Sequence, residues 1–134
     1  MKFTAITENH LYSKTYRNGQ RYVGRYATVF VLRDRAARRL MLAHPQKIYT
    51  NRIGLTVTKK VGGAVVRSRV RRILRDGYRS VRDGLKTGYL IVISARPQAA
   101  TVKSTDIAKD LRYVFGKLDM YEKNGQRADK EIQK

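Results

Sequence analysis

The sequence predicts one α/β domain with its elements in the order α-β-β-β-α-β-α, and three observations lead there. The 134 residues suit a single domain and leave little room for a second. Two segments alternate apolar with polar residues and a third is apolar on both faces, which is the patterning of strands. Two longer segments repeat apolar residues at intervals of three and four, the patterning of helices packed on one side.

The elements follow in chain order. Thr7-Glu8-Asn9-His10 offers a helix N-cap and Asn18-Gly19 an αL stop, so residues 8–18 read as a short helix with Tyr12 and Tyr16 on one face. Tyr26 to Leu32 alternates, with Ala27, Val29 and Val31 on one side and Tyr26, Thr28 and Phe30 on the other. Arg38 to Leu42 reads as a further short strand, and the stretch around Pro45 as a loop. Residues 52–58 alternate again, with Ile53, Leu55 and Val57 turned inward. A Lys59-Lys60-Val61-Gly62-Gly63 turn leads into a helix from Ala64 to Arg82. Tyr89 to Ala95 is a central strand that Arg96-Pro97 ends. The last helix starts near Ser104 and buries Ile107, Leu111, Val114, Phe115 and Leu118. The domain spans residues 1–121, and residues 122–134 form a charged tail expected to fray.

Charge points to the partner. Lys and Arg number 30 against 10 Asp plus Glu, a net charge of +20. Such an excess repels itself in the compact state and reflects an acidic partner, nucleic acid before an anionic membrane. Residues 1–58 carry +9, residues 59–82 carry +8 and residues 83–134 only +3, so the partner meets the first two-thirds of the chain. Cysteine is absent, which excludes disulfides and thiolate metal sites. The opening residues are too polar for a signal-peptide core, and no apolar run approaches a membrane span, so the cytoplasm is the expected compartment.

The helix after the Gly-Gly turn is the most informative segment. At about 100° per residue, Val66, Val70, Ile73, Leu74, Gly77 and Val81 share one stripe. Arg67, Arg71, Arg72, Arg75, Arg79 and Arg82 share a broad facing stripe, with Arg69 at its far edge. Gly77 costs about 1 kcal/mol in mid-helix, so its place on the apolar stripe predicts a close approach of helix to sheet. A face built for solubility would mix its charges, and planar guanidinium forks grip phosphate in pairs, so the stripe reads as a polyanion surface. Lys59, Lys60 and the Gly62-Gly63 turn precede the first helical N–H groups, which suits a phosphate. A plain strand-to-helix connector would look the same.

Residues 58–75 resemble the signature of the ribonuclease P protein family: a Lys-Lys pair, a Gly-Asn-Ala-Val turn, Arg-Asn-Arg, a basic pair and a further Arg. The match falls on Lys59, Lys60, Gly62, Ala64, Val65, Arg67, Arg69, Arg71, Arg72 and Arg75. Tyr12 to Gly19 resembles that family's first helix, and Ile93 to Pro97 its last strand and exit. Gly63 and Ser68 depart from it, each standing where the family has Asn.

The resemblance implies an α/β (α+β) two-layer sandwich, with a mixed sheet of about four strands and a left-handed strand–helix–strand crossover. It implies a protein subunit of a tRNA-processing ribonucleoprotein endonuclease, with Lys59, Lys60, Arg67, Ser68, Arg69, Arg71, Arg72 and Arg75 on the catalytic RNA. Tyr12, Tyr16, Arg17 and Phe30 would line a cleft for the 5′ leader of precursor tRNA. From the residues alone, Tyr12 and Tyr16 serve equally well to pack the helix down. Aromatic side chains beside cations do bind single strands without reading sequence.

A protein active site is hard to find. His10 and His44 lie in unrelated segments, and Asp106 and Asp110 lie in the first turns of the last helix, where carboxylates favour the helix dipole. The basic regions lack the carboxylates that two-metal phosphodiester cleavage needs. The resemblance therefore assigns the reaction centre and its Mg²⁺ to the RNA, with no metal bound by the protein alone, and no protein partner is evident. A non-catalytic ribosomal RNA-binding protein is the alternative.

Overall fold

The computed structural model describes residues 4–6, 9–36 and 51–121. Tyr89-Leu90-Ile91-Val92-Ile93-Ser94-Ala95 has no polar face for water to wet, and this strand takes the centre of the sheet. In chain order the elements are β1 (Thr4–Ala5), α1 (Asn9–Asn18), β2 (Gln20–Val23), β3 (Ala27–Arg33), β4 (Asn51–Thr56), α2 (Ala64–Val81), β5 (Tyr89–Ala95), a 3-10 turn (Pro97–Thr101) and α3 (Ser104–Lys117). The sheet runs β1-β4-β5-β3-β2. It is mixed: β5 lies parallel to β4 and antiparallel to β3, and α2 connects the parallel pair.

Strand alternation decides which helix covers which face. Val29, Val31, Ile53, Ile91 and Ile93 point to one side and pack with Val70, Leu74, Ile107, Leu111 and Phe115 of α2 and α3. Full burial of each such side chain contributes roughly 1.5–3 kcal/mol. On the other face Leu90, Val92 and Ile6 form a smaller core under Leu11 and Tyr12 of α1, with Phe30 and Leu32 beside them.

The mixed α+β sheet is as expected, and its five strands include two, β1 and β2, that alternation does not signal. The first is two residues long, and the second is an edge strand whose mostly exposed residues carry no alternation. Other expectations are corrected. Gly19 is not an αL stop, since it is absent from the positive-φ residues. It is needed for close approach: a Cβ there would lie 2.5 Å from the Thr15 carbonyl oxygen and 2.7 Å from that of Val31. Gly77 does allow a close approach, but to a helix instead of the sheet. A Cβ at Gly77 would lie 2.6 Å from Cγ2 of Ile107, so this glycine lets α2 and α3 meet. Tyr78, left off the apolar stripe, is buried, and that burial pushes its hydroxyl up to about 12. The strand expected at Arg38–Leu42, His44, the loop around Pro45 and the tail from residue 122 lie outside the described residues.

Candidate nucleic-acid interface

The amphipathic pattern of α2 fixes its orientation. With Val70, Ile73, Leu74, Gly77 and Val81 buried, Arg71, Arg72 and Arg75 are left exposed on the opposite side. Arg79 is half exposed, 3.8 Å from Asp76. Arg67 is partly buried, and its Nε has no hydrogen-bond partner among the described residues. Arg69 behaves differently from its neighbours. Its two Nη atoms donate to the carbonyl oxygens of Ala100 at 2.8 Å and Val102 at 2.6 Å, tying α2 to the 3-10 turn. Its position at the edge of the stripe was the one sign of this in the sequence. Ser68 is exposed beside Ala64, Val65 and Arg72.

At the start of α2, Lys59 and Lys60 are exposed in a turn closed by bonds from Val61 N to Thr58 O and from Gly62 N to Lys59 O. Gly62 sits at φ 154°, a conformation that favours glycine. Gly63 is the N-cap and supplies no side-chain bond, and no acidic residue occupies the first turn. The first amides of α2 therefore face outward without a side-chain cap, with two lysines just before them. That arrangement favours an anion.

The second set of residues comes from α1 on the far face of the sheet. Tyr12 is seated on β4, where a Cβ at Gly54 would lie 2.5 Å from the ring, so only glycine leaves room for it. Burial, and then the neighbouring Tyr16, raise the Tyr12 hydroxyl above its ordinary value. One turn on, Tyr16 remains 40% exposed. Its ring meets Phe30 edge-on at 4.8 Å, and its hydroxyl lies 2.8 Å from that of Thr56. Arg17 is exposed on the same helix. Tyr12 thus packs α1 down, and Tyr16 offers a held but accessible ring.

The two sets meet at Tyr12. Ala5, Tyr12, Ile53, Leu55, Arg71, Arg75 and Arg79 line one open groove of about 450 Å³ along the β1–β4 edge. At that edge β1 pairs with β4, with α2 packed on one face of the sheet and α1 on the other. The groove combines an apolar floor, an aromatic wall and three guanidinium groups, which suits a phosphodiester chain with unpaired bases.

Other charged groups are engaged within the fold. Arg52 and Asp34 form a paired contact, Nε to Oδ2 at 2.6 Å and Nη2 to Oδ1 at 2.8 Å. Asp106 accepts from Lys103 N at the start of α3, as a helix-dipole position allows, and Asp110 does more than expected, accepting from the amides of Arg25, Tyr26 and Ala27. His10 is exposed on α1. Among the described residues, no group of three or more His, Cys, Asp or Glu could hold a metal ion, and no helix is long and apolar enough to cross a membrane.

Comparison with known proteins shows what the chain and its fold are similar to. The family model described as Ribonuclease P matches residues 1–119. The ribonuclease P protein component of Dehalococcoides mccartyi is 35% identical over 122 residues, covering 91% of this chain and 90% of that protein. That of Clostridium acetobutylicum is 32% identical over 120 residues, covering 90% and 92%. The fold matches the RNase P protein of Staphylococcus aureus at TM-score 0.69 and 21% identity, covering 90% of this chain and all of that one. It matches that of Thermotoga maritima at TM-score 0.63 and 17% identity, covering 80% and 90%. With the signature turn, the arginine face and the paired grooved edge in place, the chain belongs to the ribonuclease P protein family.

Proposed function

We propose that this chain is the protein component of ribonuclease P, which binds the catalytic RNA and the 5′ leader of precursor tRNA so that the leader is removed. One observation supports this most: Tyr12 of α1 and Arg71, Arg75 and Arg79 of α2 line a common groove. Lys59, Lys60, Arg67, Ser68, Arg71, Arg72 and Arg75 present donors to the phosphates of the catalytic RNA. Arg69 supports that surface by holding α2 to the 3-10 turn. Tyr16 and Phe30 stack unpaired leader bases, Tyr12 holds α1 in place, and Arg17 pairs with backbone phosphate.

The chemistry belongs to the RNA, which supplies the reaction centre and binds Mg²⁺. Residues 59–82 carry nine basic side chains and one carboxylate, a composition that draws phosphates together and gives a metal ion little to bind. The protein raises affinity for substrate and offsets repulsion between two polyanions, an effect greatest at low Mg²⁺ and low salt. Reconstitution tests the proposal. Adding this chain to bare catalytic RNA at low Mg²⁺ should restore leader cleavage. A ribosomal RNA-binding protein would bind RNA and restore none.

A further inference from the structure

The β2 edge of the sheet, at the far end from the arginine groove, carries an aromatic pair with no role in the site above. The rings of Tyr22 and Tyr113 meet edge-on at 6.1 Å. Tyr113 is 56% exposed and Val23 beside it 52%, so packing accounts for only part of what these side chains do. Lys109, Tyr113 and Lys117 recur every fourth residue on one exposed stripe of α3. The Lys117 ammonium sits 5.4 Å over the Tyr113 ring. With Arg25 from the β2–β3 turn, Tyr22, Val23, Lys109 and Tyr113 line an open groove of about 570 Å³. Asp106 and Asp110 also line it, but backbone amides hold their oxygens, Lys103 N at 3.0 Å for the first and Arg25 N and Tyr26 N at 2.9 Å for the second.

We propose that this groove is a second site for single-stranded RNA, separate from the leader cleft and the arginine face. It takes one or two unpaired nucleotides, with a base stacked on Tyr113 and the flanking phosphates on Arg25 and Lys109. Exposed ring faces framed by cations bind bases through stacking and phosphates through charge. A second copy of the chain is a poor occupant, because it would bring another +20 against this edge. Four strand spacings of about 4.8 Å separate β1 from β2, so the two grooves lie roughly 19 Å apart or more. One protein can then hold two RNA segments at once.

The test uses the full-length chain carrying Tyr16→Leu, Arg71→Ala and Arg75→Ala, which impairs both the leader cleft and the arginine groove. Two labelled probes are titrated, a six-nucleotide oligouridylate and a six-unit abasic ribose-phosphate strand. Adding Tyr113→Leu should weaken oligouridylate binding about tenfold, leave abasic binding unchanged and leave the melting temperature unchanged. Lys109→Glu, at an exposed position, should weaken both probes. The proposal is overturned if Tyr113→Leu changes neither probe or both equally, or if Lys109→Glu has no effect. It is also overturned if sedimentation shows a dimer that Tyr113→Leu dissolves, since the groove would then be a contact between copies.

Discussion

Arg69 donates a 2.6 Å hydrogen bond to the carbonyl oxygen of Val102, and its second Nη reaches Ala100 at 2.8 Å. One arginine of the basic helix is therefore a strut between α2 and the chain entering α3. Arg69→Ala should lower stability by about 2–3 kcal/mol, because it removes two charge-assisted bonds and leaves two carbonyls without those partners. Arg71→Ala, at an exposed position, should change stability by less than about 0.5 kcal/mol. Urea unfolding of the two variants checks this, and equal midpoints would return Arg69 to the RNA-facing set.

Replacing Arg67, Arg71 and Arg75 together with Ala should weaken binding to the catalytic RNA and leave the fold intact. None of the three belongs to the buried stripe of α2. Loss of three phosphate contacts should flatten the slope of log K against log salt by roughly 2–3 units. Filter binding across a salt series measures the slope, and an unchanged value would mean that this face serves another purpose.

The contrast between Arg69 and its neighbours shows what the sequence could carry. The 3.6-residue period of α2 and the doubly apolar run of β5 are local signals strong enough to place both elements within a residue or so. β2 was missed because an exposed edge strand has no buried face to impose alternation. Tyr78 was missed because it sits at the margin of the stripe, next to Arg79, and tertiary packing, against Phe115 of α3 among others, buries it. Gly77 signals a close approach but its local pattern points to the sheet, whereas the true neighbour, Ile107, is thirty residues on. For the site, periodicity placed Tyr16 and Phe30 on faces of separate elements, and only the docking of α1 brings those rings to 4.8 Å. The shared groove depends on β1 pairing with β4, a contact between residues nearly fifty apart that no local pattern encodes.

Tyr78 gives a prediction in pH. Desolvation by burial raises its hydroxyl to about 12 in the folded chain, against 10.0 as the ordinary value. The folded state thus keeps a proton that the unfolded state releases first. Its contribution is fully present below pH 10 and is lost as pH rises through 12. The melting temperature of the native chain should fall across that window more steeply than that of Tyr78→Phe. Parallel curves would show that other groups govern alkaline unfolding.

Protein freed of RNA should leave precursor tRNA intact at every Mg²⁺ concentration. The described residues bring no cluster of carboxylates or histidines to the basic surface. Cleavage at the 5′ side that copurifies with the polypeptide and survives removal of all RNA would contradict a purely supporting role.

The leader cleft is tested most directly by comparing two substrates on two holoenzymes. Tyr16→Leu keeps apolar bulk but removes the ring that meets Phe30 and the hydroxyl that meets Thr56. Affinity for precursor tRNA with a leader of several nucleotides should fall about tenfold, or roughly 1.4 kcal/mol, within the range for one stacked base. Affinity for mature tRNA and for the catalytic RNA should stay the same, and so should the melting temperature. Equal losses for leader-bearing and leaderless tRNA, with a lower melting temperature, would show that Tyr16 packs the core and that the leader binds elsewhere.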